Sequence, residues 1–375
     1  MLLDPRHGRR SHPQGSGQPA PGGRAPSNLT IVHGKRSVDR AVDSALEWLT
    51  AHQRPTGELP SFASALGSGS EEWTPDTLNF ITALVALALD EIDDPRAVGI
   101  VDRSVRFLRS ELERGDLWRY WARTSDQHDY TPPDADDTAC CSMAVARRGI
   151  GTKRNVALLL DNRDERGRFR TWFVHHRSSS LQFRWATREE WLPRVRRRRA
   201  ELWANSEAEP DDVDGVVNAN VLRYLGPELA PVEAIEWVVE LVEAGLEGRC
   251  DKWHRNPTTA WAAIADGSRT GITGFRSLAP VVVRRILDRL DSSEPFGPAL
   301  DTGQALVALR SFSAATEVPR SAIELMAEQL VNSQRPDGSW SRSVFYFGGP
   351  DEVFGWAAEA LSTAVAVRAL AGRTD

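Results

Sequence analysis

The chain of 375 residues has few cysteines, no long apolar run and no excess of positive charge. Its three cysteines, two of them adjacent at Cys140 and Cys141, cannot form a disulfide framework and lack the paired spacing of a zinc site. A transmembrane span is not expected, because that would need about 18 consecutive apolar residues. The net charge of −6 argues against a nucleic-acid partner, because phosphate binding needs concentrated positive charge. We expect a protein of the reducing cytoplasm.

Two stretches depart from this composition. Residues 1–34 are rich in Gly, Pro, Ser and Arg and lack the hydrophobic centre of a secretory signal, so we expect a disordered tail ahead of one domain at 35–375. The run from Arg194 to Arg199 is strongly basic. A solvated helix face is its preferred interpretation over a contact with phosphate or with a membrane.

Long amphipathic segments alternate along the chain with shorter segments that are rich in Ala and poor in charge. The long segments carry apolar residues at helical spacing and predict outer helices; they are 38–53, 96–112, 231–244, 278–290 and 322–334. The short segments predict buried inner helices; they are 77–89, 138–146, 213–225, 258–265, 302–309 and 359–370. Strand signals are weak throughout. The pattern predicts an all-α (α/α)6 toroid, a double ring of about six helix pairs that forms a single barrel.

Inner segments tend to begin with an acidic or polar residue, such as Asp76, Asp212 or Asp301, which an ordinary N-cap explains. If six parallel inner helices surround one barrel, these ends meet at one rim of a central cavity. The sequence Asp134-Ala-Asp136-Asp137-Thr138-Ala139 exceeds what a cap needs. Because three crowded carboxylates repel one another, at least one should keep its proton well above the usual pKa of about 4. This segment is a candidate strong-acid site.

A recurring element follows the outer segments. The chain reads Gln334-Arg-Pro-Asp-Gly338-Ser-Trp340 after the last one and Gln53-Arg-Pro-Thr-Gly57-Glu-Leu59 after the first. A Gln at a helix end can bond free backbone groups of a neighbouring turn, Gly permits a sharp reversal, and the aromatic ring packs over it. We interpret the element as a structural clamp.

Both motifs resemble those of one enzyme family. Gln334, Gly338 and Trp340 match the Q-x-x-x-G-x-W repeat of squalene-hopene and related triterpene cyclases, and residues 134–139 match the D-x-D-D-T-A motif of class II terpene cyclases. The resemblance covers about residues 38–372, although Leu59 stands where the first repeat would have Trp. It implies proton-initiated cyclisation of a linear isoprenoid substrate, such as a sesquiterpenoid or diterpenoid diphosphate.

The resemblance also implies residue roles. Asp136 would be the general acid that protonates an alkene or epoxide, and Asp134 and Asp137 would tune it. An alkene is a very weak base, so the acid must be protonated at rest and unusually acidic in the transition state. Neighbouring carboxylates favour the first condition and a helix N-terminus the second. The chemistry requires no cofactor or metal, although Mg²⁺ would accompany a substrate diphosphate.

The carbocations formed after protonation need a dry cavity with electron-rich walls, which aromatic faces supply. The candidate substrate-binding residues lie near the starts of inner helices or in the connections to them; they are Trp73, Trp118, Trp121, Trp261, Phe345, Tyr346, Phe347 and Trp356. Some relatives also place a His against the general acid. The candidates are His128, His175, His176 and His254, and their spacing does not select among them.

Three features depart from the family pattern. Most class II cyclases place the active site between two barrels, and this chain has the length for one. Residues 162–210, with Trp172, Trp185, Trp191 and Trp203, interrupt the repeat and could be a lid or a surface for a partner protein that covers the open face. The sequence has no D-D-x-x-D motif of the ionising type, so a substrate diphosphate would survive. Because greasy substrates often come from a bilayer, peripheral membrane contact stays open.

Two other functions also stay open. A glycoside hydrolase on an (α/α)6 barrel would use a carboxyl pair, such as Asp136 with Asp212 or Asp301, as acid and base. A noncatalytic toroid would bind a lipid or a protein.

Overall fold

The computed structural model describes residues 30–67, 72–291, 296–349 and 352–372, with side chains from residue 37 onward. These residues form fifteen α-helices and four short β-strands. Helix α1 (Thr30–His52) begins within the stretch predicted as a tail, and the rest of that stretch, residues 1–29, lies outside the described residues. None of the described helices is both long enough and apolar enough to span a bilayer.

Six helices form a closed inner ring. They are α2 (Asn79–Leu89), α4 (Ala135–Ala146), α8 (Gly215–Leu229), α10 (Pro257–Arg269), α13 (Ala299–Phe312) and α15 (Glu359–Ala371). Each packs against the next, and α15 packs against α2. Every residue of α2 except Leu84 is buried, so this helix is enclosed on nearly all sides. Small Ala side chains permit such close packing of neighbouring helices.

A second layer of helices surrounds this ring. It consists of α1, α3 (Pro95–Ser110), α5 (Lys153–Asp161), α9 (Val232–Glu243), α12 (Ala279–Leu290) and α14 (Arg320–Asn332). Each turns an apolar stripe inward and its charges to solvent. The predicted (α/α)6 toroid is therefore confirmed. Helix α5 was not predicted, because its nine residues hold only a short apolar run.

Three further helices complete the chain. Helices α6 (Leu181–Ala186) and α7 (Pro193–Asn205) lie in the segment that interrupts the repeat, and α11 (Thr273–Ser277) precedes α12. Trp172 and Leu202 of the interrupting segment pack with Trp253, and Tyr346 borders this cluster. The segment therefore covers part of the rim at which the inner helices begin.

A small antiparallel sheet is an addition to the predicted all-helical toroid. Strands β1 (Ser61–Ala65), β2 (Thr74–Asp76), β3 (Val344–Gly348) and β4 (Phe354–Ala357) lie in the order β2-β1-β4-β3. Strand β1 pairs with β4, with Phe62 opposite Ala357, so the sheet joins the first repeat to the last. Strands of three to five residues that pair across the whole chain leave almost no local sequence pattern.

The clamp elements connect consecutive outer helices. Gln334 Nε2 donates to the carbonyl of Gly338 at 2.9 Å and to the carbonyl of Ala41 on α1 at 2.8 Å. Gly338 has a φ of 90°, and a Cβ at this position would lie 2.6 Å from the Ser44 carbonyl oxygen. Only glycine fits this close approach. Gln53 forms the equivalent bonds between the end of α1 and helix α3.

The aromatic member of the clamp bonds to both layers. The indole N–H of Trp340 donates to Leu330 of α14 at 2.8 Å, and its backbone N–H donates to Thr363 Oγ1 of α15 at 3.1 Å. Trp118 makes the same two contacts, with the carbonyl of Leu108 at 2.9 Å and with Thr138 Oγ1 at 3.2 Å. Trp118 and Thr138 therefore belong to the scaffold.

The buried clamp ring should carry a large share of the stability. We expect Trp340→Ala to lower the free energy of unfolding by about 3–5 kcal/mol, as for other large aromatic truncations in a core. Urea denaturation followed by circular dichroism measures this loss. Trp191→Ala is the matched control, because Trp191 is 61% exposed and should change stability by about 0.5 kcal/mol or less. Equal losses in the two variants would contradict the structural role of the clamp.

Candidate active site

The acid-rich segment forms the N-terminal turn of α4, and its three carboxyl groups are buried. Asp134 is the N-cap, and its Oδ1 accepts the backbone N–H of Asp137 at 2.7 Å. Capping therefore accounts for one acid and leaves Asp136 and Asp137 unexplained by helix geometry.

Each carboxyl oxygen of Asp136 contacts a side chain from another repeat. Asn220 of α8 donates from Nδ2 to Oδ1 at 2.8 Å. His254, in the loop before α10, places Nε2 3.0 Å from Oδ2. The thiol of Cys140 lies 4.0 Å from Oδ1. Three consecutive inner-helix repeats thus meet at this one carboxyl group.

His254 carries a positive charge at neutral pH. Burial opposes the charge, but Asp251 and the hydrogen bond to Asp136 outweigh it and raise the pKa of His254 to about 9. Asp251 also holds the loop, because its Oδ1 accepts the backbone N–H groups of Trp253 and His254 at 2.8 Å each. The charged imidazole therefore donates its Nε2–H to Asp136.

The two flanking acids hold a proton between them. Burial raises the pKa of Asp134 to about 6. Burial also raises the pKa of Asp137 well above its ordinary value, and the charge of Asp134 and a hydrogen bond between the two side chains add to the rise. The raised pKa of Asp137 favours its protonated form, which can donate to Asp134. The sequence attributed a retained proton to crowding of the three acids, whereas burial is the larger cause and the neighbouring charges add to it.

A second group of buried acids lies beyond His254. Asp214 accepts the hydroxyl of Thr171 and the backbone N–H of Lys252. Burial and the neighbouring Asp251 raise the pKa of Asp214 to about 8. The sequence gave no sign that Asp214 and Asp251 lie near the same histidine.

Asp212 and Asp301, the candidate partners of Asp136 in a glycoside hydrolase, contact other groups. Asp212 pairs with Lys252 and accepts the indole N–H of Trp172 at 3.2 Å. Asp301 lines a separate surface groove next to Asn256. Neither is bonded to Asp136 or to His254.

A cavity of about 90 Å³ lies inside the inner ring. Thr259 and Asp266 both line it and are seven positions apart on α10, so it extends roughly 10 Å along the barrel axis. Asn220 and His254, the two partners of Asp136, line the end nearer the helix N-termini. The side walls are mostly apolar, with Gln304 and Thr259 as polar members; the apolar residues are Phe80, Leu84, Leu87, Val307, Leu361 and Val365.

Two arginines and one aspartate lie at the other end of the cavity. Asp266 accepts hydrogen bonds from the two terminal guanidinium nitrogens of Arg368, Nη1 and Nη2. It also lies 3.0 Å from the guanidinium of Arg223. Burial alone would raise the pKa of Asp266, but the two guanidinium groups outweigh burial and hold it well below its usual range. The trio carries a net positive charge. Among the described residues Arg223 has one acceptor, Asp266, for its five N–H donors.

Aromatic rings cover the N-terminal end of the cavity. Tyr346 of β3 stacks between Tyr120 at 4.7 Å and Trp253 at 5.5 Å, as measured between ring centroids. Its edge meets His254 at 5.3 Å and Phe80 at 6.3 Å. Tyr346 therefore joins the cavity wall to the environment of the acid.

Two tryptophans fix the outer side of this aromatic cover. Trp121 and Trp356 each donate an indole N–H to Asp76 Oδ2, at 2.9 and 3.0 Å. Both rings contact Tyr120 edge-on. Asp76 thus positions the aromatic cover and does not act as a helix cap, since α2 has Leu78 at its N-cap.

The other predicted aromatic residues occupy different places. Phe345 contacts Phe80, and the backbone N–H of Phe347 donates to Trp253 at 3.0 Å, which ties β3 to the His254 loop. Trp73 lies beside Arg342 at the sheet. Trp261 donates its indole N–H to Glu247, a contact made on the side of α10 facing the outer layer.

Trp118 also departs from its predicted role, because its ring is part of a clamp. Trp73, Trp118 and Trp261 are therefore not brought together with Asp136. Of the four histidines, His128 bonds the carbonyl of Trp121, and His175 bonds Thr187 in the interrupting segment. His254 alone reaches the acid.

Sequence reasoning missed Asn220 and Phe80. Asn220 lies in the apolar segment 213–225, and a buried amide in such a helix needs a hydrogen-bond partner. This signal was present in the sequence but did not identify the partner. Phe80 resembles any other apolar residue of an inner helix.

The titration of His254 tests the charge assignment. Its pKa of about 9 exceeds the ordinary value of 6.5, so the stability it contributes is fully present below pH 6.5 and is lost as the pH rises through 9. We expect an imidazole NMR midpoint near pH 9 that is absent from the His254→Gln spectrum. Asp251→Asn should lower this midpoint and Asp301→Asn should not. A wild-type midpoint at or below 6.5 would contradict the assignment.

Comparisons with known proteins agree with the architecture. No family model matches the chain, and no curated protein matches it. A variant of the type II terpene cyclase MstE from Scytonema, in complex with geranylgeranyl dihydroxybenzoate, aligns with a TM-score of 0.59 and 15% identity over 90% of this chain and 98% of that one. A protein from Actinoplanes aligns at 0.62 and 18% identity over 89% and 98%.

An unsaturated glucuronyl hydrolase specific for heparin aligns with a TM-score of 0.50 and 10% identity over 90% of this chain and 96% of that one. At such low identity these likenesses concern the fold. The resemblance to class II terpene cyclases is confirmed at the level of the fold: the chain has an α/α toroid similar to that of MstE, and the hydrolase shares this architecture.

Proposed function

We propose that this protein is a class II terpene cyclase in which Asp136 protonates the terminal alkene of a linear prenyl substrate. The observation that carries the proposal is the setting of Asp136. It is buried at a helix N-terminus, bonded to Asn220 and to a charged His254, and both of these partners line the apolar cavity.

The reaction would begin with transfer of the carboxyl proton of Asp136 to an alkene carbon. The alkene π electrons form the new C–H bond, a carbocation is left on the adjacent carbon, and internal double bonds attack it in turn. Loss of a proton from the last cation ends the cyclisation, and solvent returns a proton to Asp136. The charged His254 and the amide of Asn220 stabilise the carboxylate that remains, which strengthens the acid in the transition state.

Asp134 and Asp137 would serve the same step by limiting negative charge beside Asp136. Burial raises the pKa of both flanking acids, so a proton shared between Asp137 and Asp134 would reduce the negative charge of the pair.

The aromatic rings and the apolar walls suit the later cations. Phe80 lines the cavity, and Tyr346 and Tyr120 lie directly behind it. A cation against an aromatic face gains up to about 2 kcal/mol when water is excluded. Ordinary ligand pockets measure roughly 300–1,000 Å³, so a prenyl chain requires side chains that line this smaller cavity to change rotamer.

Arg223 and Arg368 support a substrate with an anionic end. If the prenyl terminus reaches Asp136, the head of the molecule lies toward the two arginines. A sesquiterpenoid or diterpenoid diphosphate meets this requirement, and so does a prenylated carboxylate of the kind in the MstE complex. Proton transfer needs no metal, and Mg²⁺ would take part only by accompanying a diphosphate.

We further infer a reducing compartment such as the cytoplasm. Cys140 and Cys141 are buried thiols, and Cys140 lies beside the acid. The interrupting segment and the sheet cover part of the rim from within the chain, and a partner protein would cover what they leave open.

Asp136→Asn should abolish cyclisation and leave the protein folded. The amide oxygen can accept from Asn220, and the amide NH₂ can donate to a neutral His254, but an amide cannot protonate an alkene. Product formation is measured by mass spectrometry with a panel of linear prenyl substrates. Asp301→Asn is the matched control and should keep full turnover, because Asp301 lies outside the cavity. Turnover in Asp136→Asn would exclude the general-acid role, and equal loss of turnover in both variants would show that the effect is not specific to Asp136.

Reaction in deuterium oxide should place one deuterium at the former terminal alkene carbon of the product, because solvent replenishes the proton of Asp136. A prenyl diphosphate should emerge cyclised with its diphosphate intact. Inorganic diphosphate released in step with cyclisation, without deuterium at that carbon, would indicate ionisation chemistry instead.

Arg223→Met should weaken the use of anionic substrates. A charge-assisted hydrogen bond contributes about 1.5–3 kcal/mol, so kcat/KM for a prenyl diphosphate or prenyl carboxylate should fall roughly 10- to 100-fold. The value for the corresponding neutral prenyl alcohol should change little. An equal loss with both kinds of substrate would assign Arg223 to the structure of the barrel alone.

A further inference from the structure

An exposed surface on residues 177–192 belongs to neither the barrel cavity nor the rim. Four large apolar side chains of this stretch face solvent: Leu181, Trp185, Trp191 and Leu192 are 86%, 48%, 61% and 43% exposed. Leu181 and Trp185 are four residues apart on α6 and share one of its faces. The stretch 177–192 is named the docking surface below.

The docking surface is also basic. Arg177, Arg184 and Arg188 are exposed, and within the described part of the chain none of them forms an ion pair. The acids of the same stretch are already engaged, because Glu189 lies 3.8 Å from Arg114 and Glu190 pairs with Arg199. Uncompensated arginines therefore surround the exposed Leu and Trp side chains.

The chemistry of this surface fits the boundary of an anionic bilayer. Leu181 is exposed on nearly all sides, so it projects from the protein and lines no groove. Protein interfaces instead bury their aromatic anchors in fitted pockets. Trp at headgroup depth, Leu at the acyl boundary and Arg beside anionic headgroups are typical of interfacial segments.

The charge of the whole chain favours one orientation of the protein on the membrane. The net charge is −6, so an anionic membrane repels the protein as a whole and attracts it where positive charge is concentrated. We propose that residues 177–192 dock the protein on a membrane surface that carries anionic lipids. Trp185 and Trp191 lie at the headgroups, and Leu181 and Leu192 reach the acyl chains. The docking does not depend on the proposed reaction.

Sedimentation with lipid vesicles tests this assignment. The purified full-length protein should pellet with vesicles that contain phosphatidylglycerol and much less with vesicles of phosphatidylcholine alone. Added salt should weaken the binding, because it screens the arginines. The double variant Trp185→Ser/Trp191→Ser should bind at least tenfold more weakly. The variant Arg184→Glu/Arg188→Glu should lose the preference for anionic vesicles.

Matched variants elsewhere on the surface control for general effects. Leu229→Ser/Val232→Ser removes apolar side chains that are 49% and 62% exposed, and Arg284→Glu/Arg320→Glu reverses two exposed charges. Both should bind vesicles like the wild type, and circular dichroism should show all four variants folded. The proposal is overturned if no vesicle binds the wild type or if control and docking-surface variants lose binding equally. A dimer that the Trp185→Ser/Trp191→Ser change dissociates, without vesicle binding, would assign the surface to a second copy of the chain.

Discussion

Closure of the inner ring is the constraint on which the rest of the molecule depends. Each inner helix is enclosed by two inner neighbours and the outer layer, so most of its polar side chains find hydrogen-bond partners at the rim, in the cavity or in the clamps. The ring also brings six helix starts to one end of the barrel. Asp136 and His254 are 118 positions apart and meet because their repeats lie close together around this ring.

The six inner helices point the same way, and their dipoles match the distribution of charge along the barrel. Helix N-termini carry partial positive charge and C-termini partial negative charge. The buried acids Asp134, Asp137 and Asp214 collect at the N-terminal rim, whereas Arg223 and Arg368 lie toward the C-terminal end. The helix dipoles therefore complement this distribution, in which the two arginines outnumber the single acid Asp266 at the C-terminal end.

The double ring and the three acids could be predicted, because helical periodicity and the Gln-Gly-Trp and Asp-rich motifs are local patterns. The choice of His254 among four histidines could not, since it depends on which loops the ring brings together. Trp118 and Trp121 are three positions apart and look alike in sequence, yet one ring faces the outer layer and the other the rim. The path of the backbone determines which way each ring points, and the amino-acid sequence of this segment does not reveal that path.

The pairing of β1 with β4 has a consequence for how the chain is made. Strand β1 follows the first outer helix, and its partner β4 directly precedes the last inner helix. A chain emerging from the ribosome can pair β1 with β2 at once, but it must leave the other edge of β1 open until almost the whole toroid has been synthesised. Unpaired strand edges invite pairing with other chains. Strand β1 has only five residues, a single Phe and four that are Ser or Ala, so its open edge offers little apolar surface to a neighbouring nascent chain.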